Sequence, residues 1–275
     1  MLIKALYWAE ILSYIASCMK VVLFAGGFGT RISEESHLKP KPMIEIGGKP
    51  ILWHIMKSYA QYGYKEFIIC CGYKGWMIKE YFSNYFKRHA DITVDLSNNN
   101  VDVHQTGEED FKITMVDTGL HTMTAGRLKQ VLKYTDDKPF MLTYGDGVCD
   151  INVADLVKFH DSHGKICTMT AIQPSSRFGV IRMDDGGVVE TFEEKPADSG
   201  TWINGGFFVI NPEIKKYLHS GANDVMWERQ PLHDLAKDGQ LVGHRYGGFW
   251  KCMDTLRDKN DLEQMWSEGA PWKKW

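Results

Sequence analysis

Two cations just past a glycine-rich turn, Arg31 and Lys41, describe a site for phosphate oxygens. The stretch reads Val21-Val22-Leu23-Phe24-Ala25-Gly26-Gly27-Phe28-Gly29-Thr30-Arg31, then a short polar passage and Lys39-Pro40-Lys41-Pro42. Gly26, Gly27 and Gly29 lack Cβ atoms, so the backbone can turn sharply and aim its N–H groups into open space. Thr30 adds a hydroxyl, Arg31 a forked cation suited to phosphate, and Lys41 a second charge held between prolines. Neutral donors and two cations directly after an apolar run make a polyphosphate cradle. The alternative for the glycines alone is a turn that serves only the fold. Two other glycine motifs do not fit. No Lys-Ser or Lys-Thr pair completes a Walker loop, and Ile32 stands where the dinucleotide fingerprint needs a third small residue.

Acidic residues supply the other half of the chemistry. Asp146 follows an apolar run, at the kind of strand end where ligands of open α/β sheets collect, and Gly145 and Gly147 let a substrate approach it closely. Read alone, Gly-Asp-Gly is also an ordinary turn. Asp254 stands in Met253-Asp254-Thr255, between an expected strand and an expected helix, where it could equally cap the helix. His160 and His163 are three apart on an expected helix. A metal pair could use that spacing, but no third ligand is evident, and a solvated helix face is the simpler reading. Glu108 to Asp110 reads as a solvated turn.

Gly26-Gly27-Phe28-Gly29-Thr30-Arg31 followed by Lys39-Pro40-Lys41-Pro42-Met43 resembles the signature of the sugar-1-phosphate nucleotidylyltransferases. These enzymes join a nucleoside triphosphate to a sugar phosphate and release pyrophosphate. Further blocks carry the resemblance from about Met19 to the C-terminus: Asp117-Thr118-Gly119 with Met123-Thr124-Ala125-Gly126-Arg127, Tyr144-Gly145-Asp146-Gly147, Asn204-Gly205-Gly206-Phe207-Phe208, and Phe249-Trp250 leading to Met253-Asp254-Thr255 and Arg257-Asp258. They narrow it to the branch that uses CTP and glucose 1-phosphate.

The resemblance implies an Mg²⁺-assisted, in-line attack of the sugar phosphate on the α-phosphate of CTP. A sugar 1-phosphate is already an oxyanion, so no deprotonating group is needed; the difficulty is electrostatic, and cations and donors are the expected machinery. In that scheme Phe24, Ala25, Gly26, Gly27, Phe28, Gly29, Thr30, Arg31, Lys41, Thr122, Arg127, Gly145 and Asp146 surround the nucleotide. Asp146 and Asp254 hold the metal, and Arg31, Lys41, Asp146 and Lys195 carry the catalysis. Glu194 and Lys195, in a Glu-Lys-Pro block, take the sugar phosphate with Asn204 and Gly205. Phe24, where the family usually has Leu, and Ala125, often Gly, depart from the pattern and bear on packing around the nucleotide. Arg127 can donate to O2 or N3 of cytosine but cannot accept from the N3–H of uracil or thymine, so an arginine at the base edge would favour cytosine. The alternatives for Arg127 are ribose, phosphate or a helix cap. The family also implies a homo-oligomer in the cytoplasm and a place in supplying CDP-glucose for the dideoxy sugars of surface polysaccharide.

Two other function classes are compatible with a nucleotide half. A GT-A glycosyltransferase would typically show Asp-x-Asp, whereas Val148 stands two positions after Asp146. A catalytically silent regulator would be expected to have lost Arg31, Lys41, Asp146 or Asp254.

A net charge of -3 in 275 residues gives no general basicity for nucleic acid or an anionic membrane. Six cysteines include no Cys-x-x-Cys pair, and Cys70 and Cys71 read as reduced core residues on opposite faces of a strand. No stretch is long enough to span a membrane. Residues 1–18 are mostly apolar, and Ile15-Ala16-Ser17-Cys18 even resembles a lipoprotein cleavage box. Glu10 interrupts the run, however, and cleavage would pin the phosphate loop to a membrane. An extension outside the core, upstream of a start at Met19, is the preferred reading.

The elements that must position these residues follow from periodicity. Strands are expected at Val21–Ala25, Phe67–Cys71, Phe111–Val116, Phe140–Tyr144, Ile203–Ile210 and Leu241–Tyr246, with helices from Pro50 to Tyr62, Trp76 to Lys87, Gly126 to Tyr134, Val153 to His163, Glu228 to Lys237 and Leu256 to Trp266. Ile92–Leu96 and Val101–Gln105 read as a hairpin, and Cys167–Ile210 as short strands. The expected fold is α/β: one Rossmann-like, GT-A-like domain over 19–275, built on a mostly parallel mixed sheet with flanking helices and small β-rich additions. Its nucleotide half is expected at about 19–150 and its sugar half at about 151–275.

Overall fold

The apolar run after Lys20 forms a strand, Val21–Ala25 (β1), in a computed structural model that describes residues 19–104, 109–174, 180–183, 186, 188–193 and 201–275. The extension 1–18 and the expected site residues Glu194 and Lys195 lie outside the described residues. In chain order the next strands are Glu66–Cys71 (β2), Lys112–Asp117 (β3), Phe140–Tyr144 (β4), Cys167–Ile172 (β5), Ile203–Ile210 (β6) and Leu241–Tyr246 (β7). They form one seven-stranded sheet in the order β7-β5-β6-β4-β1-β2-β3. Neighbours run parallel except at β6, which is antiparallel to both β5 and β4. A mostly parallel mixed sheet is therefore borne out, and it runs through both expected halves of the chain.

Period-two alternation assigns each strand residue to one of two cores. Val21, Leu23 and Ala25 enter one cluster, and Val22 and Phe24 the other. Cys71 and Cys70 divide the same way, so the adjacent cysteines do point to opposite faces as buried free thiols. The first face is covered by Ile51–Ala60 (α1) and Gly75–Ser83 (α2), and the second by Thr124–Val131 (α3). Val153–His163 (α4) and Leu256–Glu268 (α6) add apolar side chains to the first cluster, and Gln230–Lys237 (α5) to the second. Burial on both faces explains why β1 is continuously apolar; each fully covered Val or Leu contributes about 1.5–3 kcal/mol.

Four expectations are corrected. The helix from Trp76 breaks at Asn84, whose side chain donates to the Glu80 carbonyl at 3.0 Å and competes with the helical ladder; a separate short helix follows at Tyr85–His89. His160 is 1% exposed rather than solvated. Its Nδ1 and Nε2 of His163 both meet the Thr168 hydroxyl, at 2.8 and 2.7 Å, which makes the pair a polar pin between α4 and β5. Glu109 is not a free surface acid: its side chain is 6% exposed and pairs with Lys57 at 3.0 Å. Helix α3 starts at Thr124, ahead of Gly126, because the Met123 and Ala125 amides donate to the Asn223 and Val225 carbonyls at 2.7 and 3.1 Å. The hairpin is present as Ile92–Asp95 paired with Asn100–Val103. Among the described residues, no helix is long and apolar enough to cross a membrane.

Candidate active site

β1 and β4 are parallel neighbours, with Phe24 opposite Tyr144, so their carboxyl ends open side by side. The glycine loop leaves one strand and Gly145-Asp146 the other. The Gly145 amide donates to the Phe24 carbonyl at 2.9 Å, holding the two exits together. A cleft of about 610 Å³ lies over them, a size ordinary for a small-molecule site. Phe24, Ala25, Gly26, Gly27, Phe28, Gly29, Thr30, Arg31, Lys41, Thr122, Arg127, Gly145 and Asp146 all line it. The fold thus gathers into one cleft every residue the sequence suggested for the nucleotide.

Lys41 is the electrostatic centre. It opens the short helical turn Lys41–Met43 after Pro40 and is only 7% exposed. Its Nζ donates to Asp146 Oδ2 at 2.6 Å and to Asp254 Oδ1 at 2.7 Å. Arg31, exposed at the rim, donates to the other oxygen of Asp254 at 2.7 Å. Burial opposes the Lys41 charge, but the Asp146 charge and hydrogen bonds to both carboxylates outweigh it and hold its pKa above the usual lysine value. Burial likewise opposes ionisation of Asp254, yet the hydrogen bond and charge of Lys41, with the Arg31 charge, keep its carboxyl below the usual range.

Asp254 is free to face this cation because it does not cap the following helix. Thr255 does that, in a capping box with Asp258: the Thr255 hydroxyl accepts from the Asp258 amide at 3.2 Å, and the Asp258 carboxylate accepts from the Thr255 amide at 2.9 Å. Asp146 and Asp254 are brought together by a two-stranded ladder between Gly147–Cys149 and Trp250–Cys252, extended by a bond from the Met253 amide to the Asp146 carbonyl at 2.8 Å. The carboxylates fit a hard divalent cation: Mg²⁺ takes one or two of them together with substrate oxygens, and a cationic ammonium already bridges the pair.

Arg127 stands on the cleft wall with its terminal nitrogens fully engaged. Nη1 donates to the Cys71 carbonyl, the Thr118 hydroxyl and the Gly119 carbonyl at 3.2, 2.6 and 2.9 Å, and Nη2 to the Gly26 and Leu120 carbonyls at 3.0 and 3.3 Å. It ties the glycine loop to the ends of β2 and β3. A Cβ at Gly26 would lie 2.2 Å from Arg127 Nη1 and displace the guanidinium from these bonds.

A second, smaller pocket of about 40 Å³ adjoins the cleft, and Asp146 belongs to the walls of both. Asn204 and Gly205, expected on the sugar side, line the smaller one. Asn204 donates to the Tyr144 hydroxyl at 3.3 Å and accepts from the Gly206 amide at 2.8 Å, while the Gly205 carbonyl accepts from Trp250 Nε1 at 2.7 Å. Asp146 therefore stands at the junction of two compartments.

Sequence reasoning missed several cleft residues. Cys252 lies beside the aspartate pair, and burial pushes its thiol pKa up. Met226 and Glu228 reach the cleft from a remote segment that docks on α3, where Thr124 donates to Glu228 at 2.9 Å. Phe28, Leu120, Met123 and Met226 leave an exposed apolar rim, and Phe28 meets Tyr73 with ring centroids 5.3 Å apart. The aromatic content of the loop was the one available signal; nothing in the sequence tied the 222–228 segment to this site.

Comparison with known proteins agrees with this geometry. Residues 20–238 match the family model described as nucleotidyl transferase. The chain is 52% identical over 259 residues to the glucose-1-phosphate cytidylyltransferase of Salmonella typhi, covering 94% of this chain and 100% of that one. The enzyme of the same name from Salmonella typhimurium matches at the same identity and coverage. Among solved structures, a UDP-glucose pyrophosphorylase complexed with UDP-glucose superposes with a TM-score of 0.65 at 15% identity, over 91% of this chain and 98% of the other, which shows the shared fold.

Proposed function

This chain belongs to the nucleotidyl transferase family, and we propose that its cleft transfers the cytidylyl group of CTP to α-D-glucose 1-phosphate, giving CDP-glucose and pyrophosphate. The observation that carries this reading is the position of Asp146, shared by the glycine-lined cleft and the Asn204 pocket and bridged to Asp254 by Lys41. CTP is placed in the larger compartment and the sugar phosphate on the Asn204 side of Asp146, so the two phosphates meet at the aspartate pair. The identity with cytidylyltransferases over nearly the whole chain supports the choice of substrates.

In the reaction an oxygen of the sugar phosphate attacks the α-phosphorus of CTP, the bond from that phosphorus to the bridging oxygen breaks, and pyrophosphate leaves. Mg²⁺ held by Asp146 and Asp254 would neutralise charge on the α-phosphate when bound. Lys41 and Arg31 already sit at the cleft floor and rim, placed to take up the charge that grows on the departing pyrophosphate. The Gly26–Thr30 loop lets the phosphates lie against the backbone, and Arg127 keeps that loop in place. The exposed apolar rim of Phe28, Leu120, Met123 and Met226 covers a base better than it tolerates water. Lys195, with Glu194, completes the sugar-phosphate side on the strength of the Glu-Lys-Pro block. We further assign the catalytic unit to 19–275, a homo-oligomeric state, a cytoplasmic location and a role in supplying CDP-glucose for surface polysaccharide.

The test is product analysis with CTP, glucose 1-phosphate and Mg²⁺. Pyrophosphate release that requires all three, with CDP-glucose formed in equal amount, is expected. Release of a nucleoside diphosphate from a sugar nucleotide would instead identify a glycosyltransferase, and inertness toward both would identify a silent binder.

A further inference from the structure

We propose that Glu228 reads the ribose of CTP: its carboxylate accepts hydrogen bonds from the 2′- and 3′-hydroxyls and so favours a ribonucleotide over its deoxy counterpart. The proposal rests on the reading of the larger cleft as the CTP compartment. Among the described residues, Asp146 and Glu228 are the two carboxylates that line this cleft. Asp146 is bridged by Lys41 at the phosphate end, and Glu228 has a different setting.

A docked segment fixes it. Trp227 is fully buried and meets Phe208 with ring centroids 5.8 Å apart, while its neighbours Met226 and Glu228 both line the cleft. The bonds from the start of α3 to the Asn223 and Val225 carbonyls hold the backbone of this segment. Thr124 Oγ1 accepts from the Trp227 amide at 2.7 Å and donates to Glu228 Oε2 at 2.9 Å. Glu228 also faces Tyr144, whose phenol pKa is raised by burial first, then by the Glu228 charge and a hydrogen bond to it. The same Tyr144 hydroxyl accepts from Asn204 at 3.3 Å. A carboxylate has about four lone-pair sites, so Thr124 and Tyr144 leave acceptors for a ligand.

An acid in a cleft that takes a triphosphate repels the phosphates, so the group it meets must be neutral and rich in donors. The order of CTP is base, ribose, phosphates. Met226 belongs to the apolar rim on the base side, and Tyr144 stands two residues before Asp146, where the α-phosphate is placed. Glu228 lies between these two markers, at the ribose. A vicinal diol presents two O–H donors that one carboxylate can accept together, and such charge-assisted bonds are about twice as strong as neutral ones. The described walls of the Asn204 pocket do not include Glu228, which assigns the carboxylate to the nucleotide rather than to the glucose hydroxyls.

The experiment is equilibrium titration of the full chain with CTP and with dCTP, each with Mg²⁺. Wild type should bind CTP at least about tenfold more tightly than dCTP, because the deoxy sugar leaves the carboxylate without its partner. Glu228→Gln, which keeps the shape and an acceptor for Thr124, should narrow that ratio to about threefold or less, mainly by weakening CTP. A purely structural role for Glu228 would weaken both nucleotides alike and leave the ratio unchanged. Equal binding of CTP and dCTP by wild type overturns the proposal without any variant, and so does a ratio that survives in Glu228→Gln. A Glu228→Gln defect confined to the KM for glucose 1-phosphate overturns it too, by giving the carboxylate to the other sugar. Pyrophosphate release from wild type with CTP and glucose 1-phosphate separates the two readings. The expected ratio without release sinks the enzymatic assignment alone, and release without the ratio sinks the role of Glu228 alone.

Discussion

Replacing Lys41 by Met removes the ammonium that bridges the two carboxylates while keeping most of the side-chain volume. The Lys41 side chain is 9% exposed, and those of Asp146 and Asp254 are 26% and 20% exposed. With the cation gone, carboxylate oxygens within 4.8 Å of each other face one another. Their repulsion is about 3 kcal/mol at an effective dielectric of about 20 and about 1 kcal/mol at that of water. Partial solvation places Lys41→Met between these limits, about 1–3 kcal/mol less stable than wild type at neutral pH. For a chain of this size that lowers Tm by about 3–10 °C. Arg31→Met should cost less than about 1 kcal/mol, because that guanidinium is exposed. Mg²⁺ should then stabilise Lys41→Met more than wild type, since the ion no longer competes with the ammonium; an ion at a hundred times its Kd returns about 2.7 kcal/mol. The assay is thermal unfolding of wild type and both variants with and without Mg²⁺. An unchanged Tm in Lys41→Met, with the same Mg²⁺ response as wild type, would refute this reasoning.

The remaining expectations concern the loop, the metal pair and pH. Gly26→Ala should fold but lose nucleotide affinity by tenfold or more in equilibrium titration, because its Cβ would strike the Arg127 guanidinium; wild-type affinity would show that the loop can shift freely. Asp146→Asn and Asp254→Asn should each keep the fold and cut turnover by about 10² or more, and near-wild-type rates at saturating Mg²⁺ would remove either from the site. Lowered to about 4, mainly by burial, the pKa of His54 makes the protein acid-sensitive. Its Nε2–H donates to the Ile46 carbonyl at 2.8 Å and its Nδ1 accepts from Trp272 at 3.4 Å, so the folded state holds it neutral. Above pH 6.5 neither state binds the proton and His54 has no effect. Between pH 6.5 and about 4 only the unfolded state takes it up, and stability falls by about 3 kcal/mol. Denaturant midpoints across that range should show this slope in wild type and not in His54→Gln. Asp254 acts only lower: with its folded pKa depressed, its contribution is complete above about pH 4 and is lost as pH falls further.

What the sequence disclosed follows from how local each signal is. β1 and its glycine loop were legible because an apolar run buried on both faces and three glycines both act within a few residues. Asp146 was legible for the same reason, as a turn at a strand end. Asp254 left two readings open, and the capping box of Thr255 with Asp258 decided between them, releasing the Asp254 carboxylate toward Lys41. The approach of Cys252 to that pair depends on the register of a ladder linking segments about a hundred residues apart, which no local pattern encodes. Met226 and Glu228 were hidden likewise, because carbonyls from the 222–228 segment serve the amides at the start of α3. His160 misled because base rates place histidine at the surface, while Thr168 on β5 supplies the partner that makes its burial tolerable.

The reaction itself is tested most directly by pyrophosphate release with glucose 1-phosphate, Mg²⁺ and each nucleoside triphosphate in turn. A base site built on hydrogen bonds rejects a mismatched edge because its own buried groups are left unpaired. CTP is expected to exceed dTTP and GTP by at least about tenfold in kcat/KM, with UTP the nearest competitor. Faster turnover of dTTP or GTP than of CTP would contradict the cytidylyl assignment, and no pyrophosphate from any of the four would contradict the nucleotidyl transfer itself.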